Sequence, residues 1–172
     1  MPESSNTVSR AVYVGSFDPI TLGHQDIVRR AARIFATVTV GVGINPDKQS
    51  LFSPDERVEM CREAVAEFPN VQVETFDGLA VEFVRKCGSQ VLLRGVRSLA
   101  DIDAEFTMSL TNQALDADIE SVFLMSGDRY AHISSSLIKQ IARMARDHVQ
   151  ERLARFVPEH VIPHLIERLS AS

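Results

Sequence analysis

The sequence predicts an α/β protein: a doubly wound parallel sheet of five strands, with helices on both faces and further helices at the C-terminal end. Three observations predict it. Five short apolar runs, at 11–14, 38–44, 71–76, 90–93 and 121–125, alternate with stretches of helical period. The runs are rich in Val, Leu and Phe and mostly lack polar alternation, as strands covered on both faces do. The polar, glycine-bearing segments equipped for chemistry follow the first, fourth and fifth runs, and so share one edge of such a sheet.

The first run, Ala11-Val12-Tyr13-Val14, leads into the loop Gly15-Ser16-Phe17-Asp18-Pro19-Ile20-Thr21-Leu22-Gly23-His24. An amphipathic helix at 25–35 follows, with Ile27, Val28, Ala31, Ala32 and Phe35 on one face. Strand, glycine-containing loop and helix in that order put free backbone N–H groups and a histidine where a phosphate can be held. The second helix opens Ser53-Pro54-Asp55-Glu56, a capping box with proline at the first helical position. Its apolar stripe is Val58, Cys61, Ala64, Val65 and Phe68. The third helix, 79–87, stops at Gly88, a C-cap residue. The fourth spans 99–115 and the fifth 135–145. A polar stretch then leads to a C-terminal helical tail, in which Pro158 marks a start and Pro163 a break or kink.

Right-handed crossovers leave few arrangements for these elements. The Rossmann-like strand order 3-2-1-4-5 places strands one and four side by side at a switch point, where ligands bind beyond the carboxyl ends of the strands. Three loops meet there: 15–24, Arg94-Gly95-Val96-Arg97, and 126–136. With neither repeats nor low-complexity linkers, one domain over 11–172 suffices, preceded by a polar tail at 1–10.

Composition sets mild bounds. A chain of 172 residues can bury a real core, and 45% apolar with 24% charged residues is ordinary for a globular protein. A net charge of −5 argues against a general nucleic-acid-binding surface while leaving room for a local basic pocket. No apolar run approaches the roughly 20 residues a membrane crossing needs, and the polar start lacks the apolar core of a signal peptide. The expectation is a cytoplasmic protein. Cys61 and Cys87 show no metal or redox spacing and read as free thiols in helices.

Several nucleotide and hydrolase chemistries are excluded. There is no G-x-x-x-x-G-K-[ST] phosphate loop and no G-x-S-x-G elbow. Gly41-Val42-Gly43 begins like a dinucleotide fingerprint, but Pro46 stands at the third glycine position; the glycines read as close-packing positions within a strand. His132, His148, His160 and His164 lack metal spacing, so no metal site is expected. Arg29, Arg30 and Arg33 read as a solvated helix face.

Two segments carry a specific resemblance. Thr21-Leu22-Gly23-His24 is similar to the [HT]-x-G-H signature of the nucleotidyltransferase superfamily, and Ile133-Ser134-Ser135-Ser136-Leu137-Ile138-Lys139 to its second signature, I-S-S-[ST]-x-x-[KR]. Within that superfamily the chain resembles the bacterial phosphopantetheine adenylyltransferases, through Gly15 to Thr21, Leu93-Arg94-Gly95-Val96-Arg97, Asp101 to Glu105 and Glu120 to Met125. The likeness runs from about Val12 to Leu169. It implies transfer of AMP from ATP to 4′-phosphopantetheine, giving 3′-dephospho-coenzyme A and pyrophosphate.

The resemblance also implies roles. His24 would stabilise the transition state at the α-phosphate, with Lys48 and Arg97 as further catalytic groups. Ser16, Lys48, Ala80 and Arg94 would hold phosphopantetheine. Ser16, Phe17, His24, Gly95, Val96, Arg97, Glu105, Tyr130, Ala131, His132, Ile133, Ser134, Ser135 and Ser136 would surround ATP. Mg²⁺ would ride on the triphosphate, with no protein metal cage required. A homohexamer and feedback by coenzyme A are family expectations. Ser16 stands where threonine is frequent and keeps the hydroxyl; Ala104 stands where an aromatic is often found. The residues alone leave rivals open: Ser134 to Ser136 can simply cap a helix, and His24 can be a capping residue. The competing functions are a related transferase acting on nicotinate mononucleotide or a phosphorylated alcohol, and a non-catalytic ATP-binding module.

Overall fold

A computed structural model describes residues 10–145 and 147–170. The polar N-terminal tail expected before the first strand lies outside the described residues, apart from Arg10, which begins that strand. The sheet has strands β1 (Arg10–Gly15), β2 (Thr37–Gly43), β3 (Val71–Phe76), β4 (Val91–Val96) and β5 (Glu120–Met125). All pairings are parallel, and the order is β3-β2-β1-β4-β5, as the alternation of runs predicts. The helices are α1 (Leu22–Ile34), α2 (Pro54–Val65), α3 (Ala80–Lys86), α4 (Leu99–Leu115), α5 (Ser135–Met144), α6 (Val149–Leu153) and α7 (Val161–Ser170).

Strand residues divide between two cores by parity, as a period of two requires. Ala11, Tyr13, Val38, Val40, Val42, Val91 and Leu93 face one side, packing with Ile27 and Val28 of α1, Val58 and Cys61 of α2, Ile138 of α5 and Leu165 of α7. Val12, Val14 and Leu92 face the other, against Val81, Phe83 and Val84 of α3. Both cysteines are free thiols, Cys61 buried and Cys87 half-buried. Burial pushes the Cys61 thiol up to about 12, so it stays protonated and unreactive.

Several boundaries differ from the sequence reading, each for a non-local reason. The fourth strand continues through Arg94, Gly95 and Val96, residues expected in a loop, because they pair with Phe123, Leu124 and Met125 of β5. The first helix starts at Leu22 rather than at residue 25, because Thr21 caps it. Pro163 causes no break: it is the third residue of α7, in the first turn, where backbone N–H groups have no intrahelical acceptor to lose. A short helix, α6, occupies part of the stretch read as polar connection.

The switch point has a visible opening. β1 and β2 stay in register over their whole length, whereas β1 and β4 pair only at Val12↔Leu92 and Tyr13↔Leu93. Beyond Tyr13 the two strands part, and Arg94 fills the gap by donating from Nη1 to the Val14 carbonyl at 3.2 Å. Glycine is required at the neighbouring strand. A Cβ on Gly41 would run into the ring of Phe83, which is stacked on Phe76 with centroids 4.6 Å apart and cannot swing aside. Gly88, just past α3 at φ 65°, ends that helix as its position predicts. Gly41→Ala is therefore expected to cost about 1–3 kcal/mol of stability through overpacking. Urea unfolding with an unchanged slope and a lowered midpoint would show it; an unchanged midpoint would contradict the packing account.

Candidate active site

The opening between β1 and β4 leads into a cleft of about 610 Å³. Its floor is built by the loop after β1. Phe17 takes φ 46°, an uncommon conformation for a bulky residue, and its ring anchors the loop in the core, 2% exposed. The ring meets Tyr13 and His24 edge-on, at centroid distances of 5.4 and 5.0 Å. Ser16, immediately before it, is exposed to the cleft.

The capping geometry of α1 decides what His24 can do. Thr21 Oγ1 accepts from the His24 backbone N–H at 3.2 Å, and the Thr21 backbone N–H donates to His24 Nδ1 at 3.1 Å. The histidine thus takes the place of the usual glutamate in a capping box. Nδ1 is committed as an acceptor, so the neutral ring carries its proton on Nε2. The imidazole lines the cleft and is otherwise walled by Phe17 and Tyr13. Burial, and secondarily the charge of Arg97, brings its pKa down to about 4. Near neutral pH His24 is a fixed, uncharged hydrogen-bond donor. The capping role and a role in the cleft are compatible, because they use different nitrogens.

Cations surround this donor. Lys48, in the loop between β2 and α2, Arg94 on β4 and Arg97 just beyond it all line the cleft of an acidic chain. Glu105, expected beside ATP, grips Arg94 in a forked ion pair: Nε donates to Oε2 at 2.6 Å and Nη2 to Oε1 at 2.7 Å. Arg97 is oriented from two sides, with Nε donating to Asp101 at 3.0 Å and Nη1 to the Ile133 carbonyl at 2.8 Å. The start of α5 closes the cleft. Ser134 caps that helix through the Leu137 N–H, and Ser135 Oγ donates to the Pro19 carbonyl at 3.0 Å. Ser136 lies beside them, exposed.

Most of the residues singled out in the sequence meet here: Ser16, Phe17, His24, Lys48, Ala80, Arg94, Gly95, Arg97, Glu105 and the run Ile133 to Ser136 all line the cleft. Four do not. Val96 is fully buried at the end of β4. Tyr130 packs behind Gly23 with Arg129 over its ring, Ala131 follows it, and His132 is exposed and sits edge-on to Phe156. Arg29 and Arg30 stay substantially solvated, as their spacing suggests, but both also pair with the buried carboxylate of Asp26, and Arg30 Nη1 donates to the Met125 carbonyl at 2.6 Å. Among the described residues no group of three or more His, Cys, Asp or Glu is placed to hold a metal ion, and Glu105 is the one carboxylate in the cleft lining.

Three further residues organise the site. Asp18, 4% exposed, accepts from the Leu51 and Phe52 N–H groups at 2.8 and 2.9 Å and from Lys139 Nζ at 3.0 Å. Lys139 ends the second signature and Asp18 lies in the first loop, so their ion pair joins the two. Arg57 lies behind Ser16. The signal for all three is a charged residue inside an otherwise apolar or motif-bearing stretch, which spacing alone does not resolve into partners.

A family model described as cytidylyltransferase-like matches residues 12–141. A phosphopantetheine adenylyltransferase from Rhodopirellula baltica is 55% identical over 163 residues, covering 95% of this chain and 90% of that protein. One from Heliobacterium modesticaldum is 47% identical over 158 residues, covering 92% and 91%. Among solved structures, a Plasmodium falciparum nicotinic acid mononucleotide adenylyltransferase complexed with NaAD aligns with a TM-score of 0.64 over 95% of each chain at 13% identity, a likeness of fold alone.

The committed Nδ1 gives a direct expectation. The unfolded histidine takes a proton near pH 6.5 and the folded one at about 4. The unfolded chain therefore binds more protons between those values, and His24's contribution to stability is full above about 6.5 and is lost as pH falls toward 4. Ring-selective ¹H–¹⁵N NMR should show His24 as the Nε2–H tautomer with no titration between pH 5 and 8. A midpoint near 6.5, or the Nδ1–H tautomer, would contradict the geometry.

Proposed function

This chain belongs to the phosphopantetheine adenylyltransferase family, and from that premise we propose that it transfers AMP from ATP to 4′-phosphopantetheine, giving 3′-dephospho-coenzyme A and pyrophosphate. The observation that carries the reading is the meeting of both signatures on one cation-lined cleft around a neutral histidine donor.

The chemistry asks for little beyond positioning and charge. A phosphate oxygen of the acceptor attacks the α-phosphorus of ATP in line. The bond from that phosphorus to the bridging oxygen breaks, and its electron pair leaves with pyrophosphate. The acceptor phosphate has a second pKa of about 6 and is largely ionised at neutral pH, so no general base is needed. The obstacle is bringing two anions together and holding the charge that builds at the α-phosphate.

Each residue takes a role on that path. His24 donates from Nε2 to a non-bridging α-phosphate oxygen. Being neutral and held by its cap, it keeps one orientation and loses no proton in doing so. Lys48 and Arg94 take the acceptor phosphate together with the Ser16 hydroxyl, and Glu105 sets the Arg94 fork. Arg97, Ser135 and Ser136 take the β- and γ-phosphates at the N-terminus of α5, where free N–H groups favour an anion. The Ser16 and Phe17 backbone, Gly95, Ile133 and Ser134 adjoin the nucleoside, Val96 and the segment from Tyr130 to His132 lie behind that wall without lining it, and Ala80 adjoins the pantetheine arm. With Glu105 committed to Arg94, the cleft residues offer no carboxylate cage, and a Mg²⁺ ion bound to ATP would supply offsetting charge at the triphosphate.

The same reading extends to assembly and control. Leu99, Phe106, Met108, Leu110 and Leu115 of α4, with Met125 of β5, are exposed apolar side chains. That supports a homo-oligomer, with a hexamer as the family expectation. Coenzyme A, which contains both halves of the product, suits the same cleft as a feedback ligand. Among the described residues no helix is long and apolar enough to cross a membrane, in keeping with a proposed cytoplasmic location.

The test is pyrophosphate release from ATP and magnesium with a panel of phosphorylated acceptors. Release with 4′-phosphopantetheine and little with nicotinate mononucleotide or a phosphorylated alcohol is expected. The reverse ranking would overturn the acceptor, and ATP binding without turnover on any acceptor would favour a binding module.

A further inference from the structure

Arg57 is an anomaly of charge. It is 2% exposed, near the N-terminal end of α2, where the helix dipole disfavours a cation. No carboxylate among the described residues pairs with it. Its Nη1 donates to two backbone carbonyls, Ser16 at 2.6 Å and Gly43 at 2.9 Å, and its Nε has no partner among the described residues. A buried guanidinium without a counter-ion is costly, and a neutral side chain such as glutamine could satisfy the same two carbonyls. Packing and hydrogen bonding therefore leave the charge itself unexplained. Its position suggests an answer: Ser16 and Gly43 both line the cleft, and so does Lys48, five residues past Gly43 on the same connection.

We propose that Arg57 is a positioning residue for the acceptor end of the cleft: it grips the Ser16 and Gly43 carbonyls and supplies the uncompensated positive charge that draws the acceptor's phosphate dianion to Ser16 and Lys48. The missing counter-ion is then the substrate. Gripping the Ser16 carbonyl from below fixes the peptide whose side chain is offered to that phosphate. The inference rests on the reading of this end of the cleft as the phosphopantetheine subsite.

Steady-state kinetics on Arg57→Gln and Arg57→Lys separate charge from scaffolding. Gln keeps a donor for the carbonyls and removes the charge. Lys keeps the charge, and because one nitrogen makes both contacts, an ammonium can reproduce them. Arg57→Gln should raise KM for phosphopantetheine roughly tenfold or more, the scale of losing one charge-assisted contact, and leave KM for ATP within about twofold. Arg57→Lys should bring the acceptor KM back to within about threefold of the parent. Equal rises in both KM values, an unchanged acceptor KM, or failure of Lys to restore it would overturn the inference. Should Arg57→Gln melt below the assay temperature, Arg57→Lys decides alone: a near-parental acceptor KM upholds the inference and a tenfold rise overturns it. A parent protein that does not use phosphopantetheine fails the functional reading before any variant is compared; a working parent with unresponsive variants fails only the inference.

Discussion

The carboxylate of Asp18 is the constraint on which the rest of the site depends. It is buried, and burial of a lone carboxylate is costly. The cost is offset by two backbone N–H groups and one ammonium, all within 3.0 Å. These donors come from two other parts of the chain. Leu51 and Phe52 belong to the connection that carries Lys48, and Lys139 sits one turn into α5, beyond Ser134 to Ser136. One side chain thus fixes the loop after β1 against the segment assigned to the acceptor and the helix assigned to the leaving group. An in-line transfer needs those two ends held at a set separation across the histidine, and small misplacements are expensive in rate. The Ser135 hydroxyl on the Pro19 carbonyl repeats the tie one residue along.

Around that frame the charges are arranged in pairs that orient and singles that attract. Arg94 is held by Glu105 and Arg97 by Asp101, which leaves their positions defined before any ligand arrives. Pre-organised donors lose little free energy on ordering when phosphate binds. Lys48 is exposed and Arg57 has no carboxylate partner among the described residues, so both contribute net positive potential at the end of the cleft proposed to take the acceptor. His24 contributes none. Its Nδ1 is bonded within the cap and burial keeps it neutral, so it presents the cleft with a directional donor; the α-phosphate is the acceptor we propose for it.

What was legible in the sequence was what local chemistry decides. The capping box at Ser53, the C-terminal glycine at residue 88 and the strand at 71–76 each follow from a few adjacent residues, and each is present. The strand order followed from alternation and crossover rules, and the cleft from the order. What was not legible depends on partners distant in sequence. Arg94-Gly95-Val96 looks like a loop until β5 pairs with it. Glu105 carries a family role beside ATP, but only the fold brings it onto Arg94, eleven residues earlier. Asp26 is buried beneath two arginines of a solvated face and pairs with both. Asp18, Lys139 and Arg57 are ordinary charged residues in one dimension and become informative only when their burial and partners are known.

Whether the Asp18–Lys139 pair acts as one unit aligning the two signatures can be read from a double-mutant cycle on kcat/KM for adenylyl transfer. Asp18→Asn, Lys139→Met and the double variant would be compared with the parent protein. A single unit predicts that each single change lowers kcat/KM and that the double variant is little worse than the worse single, a coupling of about 1–3 kcal/mol. Losses that simply add, with no coupling between the two positions, would mean that the pair does not align the signatures.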